Sequence, residues 1–194
     1  MLLDHFRECL EKAGILLVLD GEVGSLQRIK LNEYDFLGIV ITGDIRQDAP
    51  IIFLNTSACV KSLVFTIAHE LAHIWLNDQK KRLSKDEKKA IEKWCNSVAS
   101  HILLPEQNLN NFLDNEKFGM TIERNELINL TKDIANQFSI CRGIVIRRLR
   151  EMGYFDNVTE EELCESLEKE YVRYAPPSEP FEQFVDKNGI FFNR

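Results

Sequence analysis

His69 and His73 sit four residues apart, with Glu70 directly after the first, in the run His69-Glu70-Leu71-Ala72-His73. On an α-helix, side chains at i and i+4 project from one face a turn apart. Two imidazoles so placed can both reach one tetrahedral ion at about 2.0–2.1 Å. Glu70 then lies beside the pair, within reach of a water on that ion but not a ligand to it. This is the H-E-x-x-H arrangement, in which a glutamate serves as general base at a zinc centre. A lone histidine in a helix is ordinarily a structural or surface residue, and the five-residue pattern also arises by chance. A catalytic zinc needs a third protein ligand and an open position for water.

The next helix offers that ligand. Ser84 with Glu87 three positions on forms a capping-box pattern, so a helix should start at Ser84 and run to about Leu104, stopped by Pro105. Ile91, Trp94, Cys95, Val98 and Ile102 form its apolar side. Glu92 stands at the margin of that side, with Asn96, Ala99 and Leu103 continuing its row. Glu87 is accounted for by the cap. Glu92 reads either as a flanking charge in a Lys/Glu-rich stretch or as a residue facing inward. The second reading holds if the two helices pack antiparallel across the short charged loop 77–83. Asn96 suits support of a ligand or a helix terminus better than catalysis. Cys95 points with the apolar stripe and reads as a buried, inert thiol. Cys9, Cys59, Cys141 and Cys164 have no metal-type spacing.

Other elements must hold these helices. Residues 2–13 pattern as an amphipathic helix ending near Gly14. The runs 14–19 (GILLVL), 37–42 (LGIVIT) and 51–54 (IIFL) read as short strands of a mixed or antiparallel sheet. The helix after Asn55, capped by Asn55, Thr56 or Ser57, gathers Val60, Leu63, Val64, Ile67, Leu71, Ile74 and Trp75 on one side. The histidines fall roughly opposite. Residues 121–154 pattern as a helix-turn-helix: Ile134, Ala135 and Phe138, a turn near Ser139, then Ile144, Val145 and Leu149. Arg142, Arg147, Arg148 and Arg150 give the second helix a basic face. The favoured reading has this pair completing the core and roofing the metal cleft, its arginines solvated or meeting acidic substrate residues. The fold class is α+β: a small β-sheet packed on a mainly helical zincin-like core, with a helix-turn-helix-like C-terminal part. The expected division is 1–120 for the core, 121–174 for the helical part, and 175–194 for a tail introduced by YAPPSEP (174–180).

Composition narrows the class. A chain of 194 residues with 44% hydrophobic content suits one globular domain, or a domain plus a small appendage. The net charge of -7 disfavours direct nucleic-acid binding and attraction to an anionic membrane. Residues 1–20 carry no signal-peptide pattern, and no apolar run approaches the ~18 residues of a membrane helix. Five widely spaced cysteines without a C-x-x-C pair point to a reducing compartment, and so to the cytoplasm.

FTIAHELAHIWL (65–76) followed by EKWCNSVASHILLP (92–105) resembles the ImmA/IrrE family of metallopeptidases. PIIFLN (50–55) and IANQFSICRGIVIRRLREMGY (134–154) share in the resemblance, which covers roughly 14–154. Cys95, Val98 and Ala72 replace the more usual alanine, phenylalanine and glycine; these size changes remove no ligand. The resemblance implies Zn2+ held by His69, His73 and Glu92, with Glu70 as the catalytic base. It also implies a protein substrate, typically a helix-turn-helix transcriptional repressor whose cleavage relieves repression. Tyr154, Tyr34 and His101 are of a type to give a second oxyanion donor, and none is singled out; His101 points away from Glu92 and reads as structural or surface. Two other classes stay open: a toxin/antitoxin-like or regulatory partner acting by stoichiometric binding, and a DNA-associated regulator working through 121–154. The intact Glu70 favours the enzyme over the first, and the acidic charge disfavours the second.

Overall fold

The computed structural model describes residues 2–20, 22–23, 29–30, 37–42, 49–56, 58, 60–76, 83–115, 124–155 and 163. They divide between two compact units, 1–99 and 100–194. The architecture is α+β, mainly helical with a small sheet.

The first unit opens with α1 (Leu2–Lys12), which ends at Gly14 in the left-handed region (φ 76°) where a residue without Cβ carries no strain. Strand β1 (Leu16–Asp20) follows, then a two-stranded antiparallel ribbon of β2 (Glu22–Val23) and β3 (Ile29–Lys30), then β4 (Gly38–Ile41) and β5 (Ile51–Asn55). The main sheet has the order β1-β5-β4, with β1 parallel and β4 antiparallel to β5. Strand alternation puts Leu17, Val40, Ile52 and Leu54 on one face, where they are buried with Leu10 of α1 and with Leu63 and Ile67 of α2 (Val60–Leu76). Leu16, Ile39 and Ile41 of the other face are half exposed. Helix α3 (Lys85–Leu103) begins in this unit.

The second unit contains α4 (Glu106–Asn115), α5 (Arg124–Gln137) and α6 (Arg142–Glu151). Helices α5 and α6 are the anticipated pair: Ile134, Ala135, Ile144, Val145 and Leu149 are buried, and Ser139 makes the turn at φ 55°. Helix α4 was not anticipated, because Pro105 was read as a stop. It is a start as well, since the Pro105 carbonyl accepts the Asn108 and Leu109 N–H groups of the new first turn.

Three expectations are corrected. Helix α2 begins at Val60, so neither Asn55 nor Thr56 caps it; Asn55 ends β5 and its carbonyl takes the Ala58 N–H in a turn. Ser57 lies outside the described residues. The apolar stripes of α2 and α3 are not buried along their whole length: Trp75 is 61% and Trp94 42% exposed, and Val60 is exposed too. The buried side of α3 is instead Cys95, Asn96, Ala99, Ser100 and Leu103, which takes in the row that Glu92 begins. Lastly, Arg148 is 2% exposed and does not belong to a basic surface. Its Nε donates to the Leu104 carbonyl (3.1 Å), and its Nη1 donates to Glu151 Oε2 (2.8 Å) and to His101 Nε2.

Candidate metal centre

Two helices of the first unit bring the anticipated side chains together. The capping box at the start of α3 forms as its spacing requires: the Ser84 N–H donates to Glu87 Oε2 (2.8 Å) and the Glu87 N–H to Ser84 Oγ (3.3 Å). That cap sets the helical phase, and Glu92 and Asn96, one turn apart, both meet α2. Asn96 lies beside His69, and Glu92 lies beside His69 and His73. Residue numbers falling on one helix as they rise on the other mark an antiparallel pair.

His69 Nε2 and His73 Nε2 are 3.0 Å apart. His69 Nε2 is 3.2 Å from Glu92 Oε2, and His73 Nε2 is 3.5 Å from Glu92 Oε1. Ligands at about 2.0–2.1 Å from a tetrahedral ion stand about 3.3–3.4 Å from one another. The three separations, two of them to different oxygens of the Glu92 carboxylate, lie near that length. This group is near enough to hold a metal ion, its ligand atoms all lying within 4.8 Å of one another. Among the described residues the Glu92 side chain is half exposed, while those of His69 and His73 are mostly covered.

His69 is oriented from behind. Its Nδ1 lies 3.0 Å from Asn96 Oδ1, and with the amide oxygen facing the ring, Nδ1 is the donor. A neutral imidazole that donates at Nδ1 presents its lone pair at Nε2, on the side of His73 and Glu92. Two imidazole nitrogens and a carboxylate converging on one point repel unless a cation or proton lies among them. When a proton rather than a cation lies among them, His69 and His73 donate from Nε2, and these hydrogen bonds hold the Glu92 carboxyl well below its ordinary range, against the opposing effect of burial.

Glu70 is buried at 8% exposure. Burial pushes its carboxyl above the ordinary value; the neighbouring His69 and His73 pull it back, Glu92 raises it, and a hydrogen bond from the Val40 backbone N–H lowers it. A buried carboxyl with a raised pKa beside two histidines is a stronger proton acceptor than a solvated one. Sequence reasoning missed Val40. The signal it could have used is Gly38 in an otherwise β-branched strand, since a glycine there marks close approach of another backbone or helix.

The other singled-out residues lie elsewhere or outside the description. His101 and Tyr154 belong to the second unit, where His101 accepts from Arg148 and lies 3.7 Å from Glu151. Tyr34, Cys59 and Cys164 lie outside the described residues. Cys95 and Cys141 are buried and Cys9 is exposed, and none of the three is in a disulfide.

The model of the family described as the IrrE N-terminal-like domain (Peptidase_M78) matches residues 26–150. No curated protein matches the chain. Among the described residues no helix is long and apolar enough to cross a membrane.

Proposed function

The chain belongs to the IrrE N-terminal-like family of metallopeptidases, and from that premise we propose that it is a zinc-dependent endopeptidase with His69, His73 and Glu92 as metal ligands and Glu70 as general base. The observation that carries the reading is the convergence of two imidazole nitrogens 3.0 Å apart on the two oxygens of the Glu92 carboxylate, at 3.2 and 3.5 Å, flanked by a buried glutamate. Nitrogen and oxygen donors in a His2Glu set favour zinc over the oxygen-preferring calcium and magnesium.

When bound, the metal supplies Lewis acidity, acidifying a water and polarising the scissile carbonyl. Glu70 takes the proton from the attacking water and passes it to the departing amine. Its burial makes it a better base than a solvated carboxylate, and its place directly after His69 on α2 ties its position to that of a ligand. Asn96 holds His69 in the tautomer that faces the centre.

The substrate we propose is a helix-turn-helix transcriptional repressor, cut at one site so that repression is lifted, in the cytoplasm. The family resemblance supports this choice of substrate. Cys9, Cys95 and Cys141, none of them in a disulfide, are in keeping with the compartment. A purely stoichiometric binder has no use for a buried carboxylate beside its metal, so Glu70 favours the enzyme.

The test is cleavage of a small helix-turn-helix repressor encoded beside this gene, with zinc-loaded wild type and Glu70→Gln. Both should bind zinc and the repressor equally, and only wild type should cut. Normal turnover by Glu70→Gln would remove Glu70 from the mechanism. Tight binding without cutting by wild type would establish the stoichiometric reading instead.

A further inference from the structure

The carboxylate of Glu70 is held at the outer edge of β4, and the register of the sheet explains how. The Asn55 N–H donates to the Leu37 carbonyl at 2.9 Å, so Leu37 and Asn55 form a hydrogen-bonded pair. Bonded and non-bonded pairs alternate along an antiparallel ladder. Ile39 opposite Phe53 and Ile41 opposite Ile51 are therefore bonded pairs, whereas Val40 opposite Ile52 is not. The Val40 N–H points away from β5. Among the described residues β4 is the outer strand of its sheet, and the acceptor that meets this amide is Glu70.

For a helix side chain to meet an edge amide, the helix must seat closely on the strand. Gly38 allows it. A Cβ at position 38 would stand 2.5 Å from Thr66 Cγ2, 2.9 Å from Leu54 Cδ2 and 3.1 Å from the Phe53 carbonyl oxygen. Thr66 cannot easily swing its methyl aside, because its Oγ1 donates to the Ser62 carbonyl at 2.9 Å and fixes χ1. Thr66 and Glu70 are one helical turn apart, about 6 Å along α2, and Gly38 and Val40 are two residues apart, about 7 Å along β4. The two contacts therefore stack: Thr66 against Gly38, and Glu70 against Val40.

We propose that Gly38 and Val40 are positioning residues for the general base: the bare Cα at 38 lets α2 seat against β4, and the Val40 amide fixes one oxygen of Glu70 so that the other faces the metal site. The inference rests on the reading of Glu70 as that base. It assigns β4 a part in catalysis without giving it a ligand, so changes at Gly38 should disturb the base and leave the metal in place.

The test is amide hydrogen exchange on the full-length, zinc-loaded chain, with the Ile39 and Ile41 amides as internal controls because both are bonded to β5. Val40 should be protected in wild type. Glu70→Ala should lower that protection roughly ten- to hundredfold, the range that a bond to a charged acceptor supports, and leave the controls unchanged. Gly38→Ala should do the same. Adding Thr66→Ser to Gly38→Ala should restore part of the protection, because serine keeps the bond to Ser62 and lacks the obstructing methyl. A merely structural glycine would change Ile39 and Ile41 together with Val40. Zinc content should be equal in all four proteins, which keeps this test separate from the metal assignment; cleavage by Glu70→Gln, a different measurement, decides the mechanism. Equal Val40 exchange in wild type and Glu70→Ala would overturn the proposal, and that comparison stands alone if Gly38→Ala fails to fold.

Discussion

Among the described residues, two clusters of histidine and glutamate are built to opposite ends. In the second unit, His101 and Glu151 surround Arg148, whose guanidinium lies at the centre and bonds to both and to the Leu104 carbonyl. In the first unit, His69, His73 and Glu92 gather near enough to one another to hold a metal ion. The residue types are nearly the same. What differs is whether the cation is a side chain or must come from solution. The cluster around Arg148 forms on folding with a cation from the chain; the proposed function has the other take its cation from solution, as an active centre requires.

The largest effect that would break this contrast is at a ligand. His73→Ala should weaken zinc binding by more than the roughly 10- to 100-fold typical of outer partners, since it removes a direct bond. Competition with a chromophoric chelator measures it, and an unchanged affinity would mean that His73 is not a ligand.

Arg148→Met should cost about 3 kcal/mol of folding stability, near the low end for breaking a buried pair because Glu151 keeps some access to solvent. It should leave one zinc per chain, and denaturant titration with metal analysis reads both quantities. Charge reversal at Arg148 would therefore report on folding and not on substrate docking.

Asn96→Ala should lower zinc affinity about 10- to 100-fold by freeing the His69 ring to turn. Asn96→Asp, which keeps the acceptor, should recover most of it.

The smallest effect is one of pH, in the metal-free protein. Burial raises the Glu70 carboxyl above 4.5, so the folded chain holds that proton more tightly than the unfolded chain does. The stabilisation is complete below 4.5 and is lost as pH rises through the folded value. Metal-free Glu70→Gln, which cannot ionise, should be more stable than wild type at neutral pH, and the difference should close as the pH falls toward 4.5. Denaturant unfolding at the two pH values checks it; a gap that does not narrow would contradict the assignment of Glu70 as a buried charge.

Much of this contrast was legible in the sequence, for reasons that are local. An i, i+4 histidine pair declares its own geometry, and a capping box with a helix-stopping proline fixed the phase that puts Glu92 and Asn96 toward α2. Strands β1, β4 and β5 were readable from β-branched runs bounded by turn residues. The illegible parts depend on partners far along the chain. Arg148 looked like one of four solvated arginines, because nothing near it in sequence shows that Leu104, 44 residues earlier, supplies a carbonyl. Val40 could not be assigned to Glu70 without knowing which β4 amides turn away from β5. Trp75 and Trp94 followed the apolar period of their helices, but a period fixes a direction and not whether anything packs there.

The most direct test of the metal centre is the zinc X-ray absorption spectrum of the loaded protein, compared with that of His73→Ala. The account predicts a four-coordinate shell of nitrogen and oxygen at about 2.0–2.2 Å, two of its ligands imidazole and none of them sulfur, with one imidazole missing in the variant. A sulfur scatterer at about 2.3 Å, or an identical shell in the two proteins, would contradict it.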